Sequence, residues 1–438
     1  MKSELALFGI VVAVLLGLSS HSMYAGTGDE PHYLAIAHSI AFDHDFDLAN
    51  NYGAAEPLLA DGRLDPEAHV RPGVGGVLRP VHDVGLPLLA APAVRVLAPA
   101  AGWLSAHMPP DWMRQLRLTP SNLYQHLIES VMAIVGGILA CVMARAMAAA
   151  GDDPGRARWS ALAAALSPPL LIQSLLFFPD LVAALLCLIA FRRVAIDGSV
   201  SPRGWAAAGT ATGLLLLVHA RNAGLVCGLV AIAAIRLAGE RDAMKAWCFL
   251  TPLAALLGIR SAITDRFWGT WVTTPHEAIG AWTGWRDLLG AAGTRLAGML
   301  VDQEYGLLIY GPVFLAAVAG LAAMVRSNRS LVSKISVAAG AYLVAVLLPL
   351  TNIHGWTGGW SPPARFWVPI VPLLAFGLTA GFRALPRPIV AGVLGLQILI
   401  NVYFWGHPKN LWNDGDGRAA VCQRAGWTIC SYLPSIQP

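Results

Sequence analysis

The feature that most constrains this chain is a series of apolar stretches, each about as long as a bilayer is thick, joined by short polar links. A helix crossing the hydrocarbon core needs about 20 mostly apolar residues, in a range of about 17–25. Stretches of that kind lie near 5–21, 124–144, 159–177, 179–195, 205–219, 222–238, 246–263, 305–325, 335–352, 364–382 and 388–405, the fourth being the shortest. They predict an all-α polytopic membrane protein with about 11 transmembrane helices, forming one domain over 1–438. Composition agrees. Hydrophobic residues make up 56% of the 438 and charged residues only 13%, against about 25% charged in a soluble domain. The formal net charge of +4 is small, and no Lys/Arg stripe with interleaved aromatics points to nucleic acid.

Arginine placement sets the orientation. Cytoplasmic loops carry an excess of Lys and Arg. With the N-terminus inside, the short inner loops hold Arg145, Arg156 and Arg158, then Arg192, Arg193 and Arg203. Next come Arg236, Arg241 and Lys245, then Arg326, Arg329 and Lys334, and finally Arg383 and Arg387. The alternate short loops hold only Arg221 and Arg365. Val84 to Leu104 is apolar enough to cross, but one more crossing there would invert every later loop. Arg95 and Pro87, Pro92 and Pro99 also argue against a clean span. The segment is therefore expected to lie in the outer interface.

Three outer segments are long: 22–123, with juxtamembrane helices, 264–304, and the tail 406–438. The second carries Trp268, Trp271, Trp282 and Trp285, expected as interface anchors. An odd number of spans places the C-terminus outside, where Cys422 and Cys430 meet an oxidising compartment and a disulfide is plausible. The other four cysteines fall in apolar runs, as small packing residues. Met1 to Ala25 resembles a signal peptide, but Met23 stands where a small residue is needed before a cut at Tyr24-Ala25, and an uncleaved first span is the expectation.

Several polar residues sit at the outer ends. Gly28-Asp29-Glu30-Pro31-His32-Tyr33 follows the first span directly. A partly desolvated carboxylate there suits a general base, and Asp29 with Pro31 suits a helix cap equally well. Arg221 and Arg365 stand where positive charge is disfavoured, and arginine makes bidentate contacts with phosphate. Glu129 lies inside the second span with Gln125 and His126 nearby, and an intramembrane ionisable group is a functional candidate. Asp180 follows Phe177-Phe178-Pro179 and could cap the next helix. His82 and Asp83 precede the interfacial segment, and His219 precedes Arg221. No ligand spacing demands a metal site. Asp29 and His82 could contribute to a divalent one, and Asp43, Asp45 and Asp47 lack the Gly and Glu of a calcium loop.

These blocks, in order, resemble the GT-C superfamily of glycosyltransferases. The nearest branch is the bacterial one related to protein O-mannosyltransferases and the lipid A aminoarabinose transferase. The resemblance is carried by Gly28 to Leu34, Ala37-His38-Ser39, and Asp45 to Tyr52 in the first outer loop. It continues in His82-Asp83-Val84-Gly85-Leu86-Pro87, Ser167-Pro168-Pro169-Leu170 with Phe178-Pro179-Asp180, Asp302 to Pro312, and Gly358-Gly359-Trp360-Ser361 with Arg365-Phe366 and Pro369. One departure is Pro362-Pro363-Ala364, where the family pattern has a glycine-containing stretch.

The resemblance implies a transferase in a bacterial cytoplasmic membrane, active on the outer face. It would take a hexosyl or pentosyl group, with inversion, from a polyprenyl-phosphate carrier to a lipid, glycan or protein acceptor. It gives Asp29 the catalytic role, with Glu30 as alternative. His32, Tyr33, His82, Glu129, Asp180, Arg221, Tyr305 and Arg365 would line the substrate site, with Arg365 and Arg221 on the carrier phosphate. A transporter or flippase of lipid-linked intermediates is the competing reading, and it predicts internal repeats, none of which is visible.

Overall fold

The structure, a computed structural model, describes residues 2–19, 28–52, 58–59, 64–66, 69–116, 118–271, 285–347, 356–358, 361–413 and 415–436. Trp282, the Tyr24-Ala25 pair, and Gly359 with Trp360 lie outside these residues.

Helix starts are written locally. Nine of the described α-helices open with proline in their first turn: Glu30–Phe42, α4 (Pro110–Gln115), α5 (Pro120–Ala149), α6 (Pro154–Ala165), α7 (Pro168–Gln173), α8 (Pro179–Phe191), α9 (Pro202–Val218), Val371–Leu374 and, beginning Arg387-Pro388, Arg387–Gly406. Proline fits there because the first-turn N–H groups have no intrahelical partner. Thr119, Asp153 and Ser201 cap α5, α6 and α9, accepting from the N–H groups of Asn122, Arg156 and Gly204.

The remaining elements are helical but for one hairpin. They are α1 (Lys2–Ser19), α2 (Glu30–Phe42), β1 (Val70–Pro72), β2 (Leu78–Pro80), α3 (Gly85–His107), α10 (Ala223–Glu240) and α11 (Ala243–Trp268). After these come α12 (Trp285–Val301), α13 (Leu307–Tyr310), α14 (Val313–Ser327), α15 (Arg329–Leu347), α16 (Val371–Leu374), α17 (Phe376–Ala384), α18 (Arg387–Gly406) and α19 (Ala420–Ala425).

Among the described residues, six helices are long and apolar enough to cross a membrane, or seven if the bent pair Arg365–Leu374 and Phe376–Ala384 is one span. The all-α polytopic architecture holds, with fewer unbroken spans than the expected 11. Proline is the physical reason in two cases. Ser167-Pro168-Pro169 splits the 159–177 segment into α6 and α7, and Gly311-Pro312 splits 305–325 into α13 and α14. The pair near 364–382 bends by 68°, with Pro369 and Pro372 ahead of the bend. Its first half begins at Arg365.

Spans meet closely through small residues. A Cβ at Gly320 would sit 1.7 Å from the Gly377 carbonyl oxygen, so α14 and α17 touch backbone to backbone. The α1–α5 pair reports direction. Glu4, near the start of α1, accepts a hydrogen bond from Arg145 Nε, near the end of α5, at 2.9 Å, while Gly137 faces Phe8 and Val12. The two helices run antiparallel. Helix α3 is long and apolar enough to cross, yet only 17% of its most apolar window is buried. It lies against α2: Arg95 donates to the Ala41 carbonyl at 3.2 Å and stacks over Phe42.

The C-terminal tail folds back on the Asp302-Gln303-Glu304 corner, and Cys422 is disulfide-bonded to Cys430.

Candidate active site

Four chain segments converge at the N-terminus of α2. Asp29 occupies the cap position of that helix, but its side chain makes no capping hydrogen bond. Its carbonyl accepts from His32 N–H and Tyr33 N–H. The carboxylate, about a third exposed at 32%, instead faces two other segments. Oδ2 is 3.7 Å from Arg365 Nη2, and Oδ1 is 3.9 Å from His69 Nδ1.

Arg365 starts a short helical turn at the head of the bent span and is buried. Its Nε donates to Asp180 Oδ2 at 3.1 Å, and its guanidinium stacks over Phe178. Asp180, also buried, receives Arg221 on its other oxygen, Nη1 lying 3.5 Å from Oδ1. Arg221 stacks over Phe366 and bonds His219 Nε2 at 2.9 Å. Asp29, Arg365, Asp180 and Arg221 thus form one continuous chain of alternating charge. Two guanidiniums share one buried carboxylate, with aromatic faces behind both.

Glu30 does something different from its neighbour. It is fully buried, and its Oε1 accepts the Phe177 N–H at 2.5 Å. It fastens α2 to the Phe177-Phe178-Pro179 turn that carries Asp180.

The β-hairpin supplies the histidines. Val70 pairs with Pro80, and Val81 N–H bonds the His69 carbonyl, so His69 and His82 emerge side by side. His69 Nδ1 lies 2.9 Å from His82 Nε2. His32 stacks on His69 with ring centroids 3.4 Å apart, and its Nδ1 meets the Tyr52 hydroxyl at 2.6 Å. Tyr33 is buried with its ring 4.9 Å from His82. Burial raises the Asp29 carboxyl, but the fields of His82, Arg365, His69 and His32 outweigh it and hold it at about 2. Burial, with repulsion from His69 and His82, lowers His32 to about 3 despite Asp29. Asp29 is therefore an anion beside a neutral His32.

Asp83 binds the hairpin to the Arg221 turn. Its Oδ2 accepts Ala220 N–H at 2.8 Å, and Oδ1 lies 3.7 Å from Arg260 Nη2.

Of the residues read from sequence, Asp29, His32, Tyr33, His82, Asp180, Arg221 and Arg365 come together here. Tyr305 contributes through its backbone: its carbonyl accepts the N–H of Ala364, the residue before Arg365. Glu129 stands apart, fully buried in α5 and paired with His126 Nδ1 at 2.9 Å. His69, Tyr52 and Arg260 were not singled out from sequence. Arg260 carried a usable signal, being an ionisable residue in an apolar run. His69 carried none, since only hairpin register brings it to His82. A cavity of about 580 Å³ lies elsewhere, lined by Asp197, Arg236, Glu240 and Lys334 among the arginine-rich loops.

No family model matches the chain, and no curated protein matches it in sequence. A solved structure matches in fold: the crystal structure of ArnT from Cupriavidus metallidurans bound to undecaprenyl phosphate. The identity is 12% and the TM-score 0.53, over 91% of this chain and 64% of that one. This chain therefore spans less than two thirds of that protein's length. The likeness shows the fold alone, an all-α polytopic arrangement similar to that of the ArnT structure.

Proposed function

We propose that this protein is a membrane glycosyltransferase that moves a sugar from a polyprenyl-phosphate carrier to an acceptor hydroxyl, on the outer face of a bacterial cytoplasmic membrane. One observation carries the reading: the unbroken Asp29–Arg365–Asp180–Arg221 chain, in the fold of a protein whose structure was solved with undecaprenyl phosphate. In this reading the carrier phosphate docks on Arg365 and Arg221. The acceptor oxygen attacks the anomeric carbon from the opposite face, its proton passes to the Asp29 carboxylate, and the bond to the carrier breaks with its electron pair on the phosphate oxygen. The product is inverted. A carboxylate held at about 2 is a weak base. It suffices because the hydroxyl proton becomes strongly acidic as the new C–O bond forms. Arg365 and Arg221 stabilise the charge gathering on the departing phosphate.

The test is a deletion strain profiled for lipid-linked sugars, with reconstituted variants beside it. An accumulated polyprenyl-phosphate sugar is expected. Asp29→Asn should insert normally and lose about 10²–10⁴-fold in kcat. Arg365→Ala should weaken use of the donor. Near wild-type transfer by the Asp29→Asn protein would remove Asp29 from the reaction, and an unchanged donor KM and kcat in Arg365→Ala would remove the phosphate role.

A further inference from the structure

The geometry points to a divalent transition-metal site, zinc by preference, held by Asp29, His69 and His82. One carboxylate oxygen of Asp29 and one ring nitrogen from each of His69 and His82 all lie within 4.8 Å of one another. A tetrahedral zinc about 2.0–2.1 Å from each ligand atom holds those atoms roughly 3.3 Å apart. The observed separations bracket that value: 2.9 Å between the two imidazole nitrogens and 3.9 Å from His69 to Asp29 Oδ1. These two separations each depart from it by about half an ångström.

Three features hold the ligands ready. The hairpin register, with the Val81 N–H on the His69 carbonyl, fixes the two histidines side by side. His32, anchored by Tyr52, stacks on His69 at 3.4 Å and sets its ring plane. Arg365 faces Asp29 Oδ2 and leaves Oδ1 turned toward His69. Two imidazoles and one carboxylate suit zinc and its transition-metal neighbours, whereas magnesium and calcium take oxygen ligands. Three protein ligands leave a fourth position open, as catalytic rather than structural zinc sites do. Asp29 and His69 are both partly exposed, so that position is reachable.

Binding of the cation stands apart from the transferase reading, but any part it plays in sugar transfer rests on that reading. There, a hydroxyl at the open position would be acidified by the cation held on Asp29 Oδ1, and its proton would pass to Oδ2, the other oxygen of the same carboxylate.

The full-length protein in detergent is stripped with chelator, returned to Zn²⁺ alone, and assayed for bound metal by mass spectrometry and by competition with a chromogenic chelator. Co²⁺ is then substituted, and its visible absorption read. The expected result is one equivalent of zinc and the intense cobalt bands of a four-coordinate site. His69→Gln and His82→Gln should each weaken binding by about 10–100-fold or more. Size-exclusion profile and melting temperature, read on the same samples, distinguish lost metal from lost fold. Wild-type protein that keeps no zinc after gel filtration would overturn the proposal and leave the trio as a hydrogen-bonded cluster. Folded glutamine variants that hold zinc as tightly as wild type would also overturn it. Zinc bound by a protein that transfers no sugar would keep the site and sink the transferase reading.

Discussion

At the scale of single residues, the adjacent carboxylates Asp29 and Glu30 have separate tasks. Spacing alone left the pair readable as a helix cap or as a base. The cap reading needs an Asp29 side-chain bond to the first turn, and none is made. Glu30 instead anchors the Phe177 N–H from a fully buried position. Glu30→Gln keeps a carbonyl acceptor there and should retain transfer activity and near wild-type stability. Glu30→Ala strands a buried N–H and should cost about 1–3 kcal/mol. Thermal unfolding of both variants in detergent checks this, and equal loss of kcat in Glu30→Gln and Asp29→Asn would overturn the division of labour. The departure at Pro362-Pro363-Ala364 now has a physical meaning. Ala364 has φ of +57°, a conformation that costs a non-glycine residue roughly 1–2 kcal/mol. The strained residue stands directly before Arg365. Ala364→Gly should leave Tm unchanged or raise it by about 2 °C, whereas the β-branched Ala364→Val should lower it. The opposite order in a melting experiment would remove strain from the account.

At the scale of elements, helix starts were legible because proline and Ser, Thr or Asp caps are local signals. Glu129 and Tyr305 show the limit. Both belong to blocks at the right end of their helices, but facing is decided by packing. Glu129 turns to His126, and the Tyr305 carbonyl accepts the N–H of Ala364, next to Arg365. The tail depends still more on contacts remote in sequence. Glu304 Oε1 and Oε2 accept the N–H groups of Gly415 at 3.0 Å and Gly417 at 2.7 Å, while Asp302 Oδ2 accepts from Ile436. A bridge between Ser361 and Asn413 then ties the tail to the strand of chain leading to Arg365. Hydrogen bonds to a charged acceptor contribute about 1.5–3 kcal/mol each. Glu304→Ala should therefore reduce amide-exchange protection at Gly415 and Gly417 by about tenfold or more, with protection in α5 unchanged. Full protection at both glycines would mean that the tail is held by other contacts.

At the scale of the whole molecule, the deciding question is whether α3 crosses the bilayer. Length and apolarity permit it, and the arginine alternation forbids it. The antiparallel α1–α5 pair supplies an independent argument. Glu4 and Arg145 bring the first residues of α1 and the last of α5 to one end, so the end of α1 and the start of α5 share the other. A single crossing by α3 between them would place those two ends on opposite sides, and the pair could not form. Helix α2, at 13 residues, is too short to supply a compensating crossing. On this argument α3 stays on the side where α1 ends, together with the Asp29 cluster, and the arginine alternation predicts that this side is the outer one. This predicts that single cysteines placed at Ala49, ahead of α3 and exposed, and at Asp416, in a background without the native free cysteines, react with an impermeant maleimide on right-side-out vesicles. A cysteine at Arg156 should react only after the vesicles are opened. If Ala49→Cys were shielded while Asp416→Cys and Arg156→Cys kept their expected pattern, α3 would cross, and the antiparallel pairing of α1 with α5 would have to be abandoned with the interfacial reading.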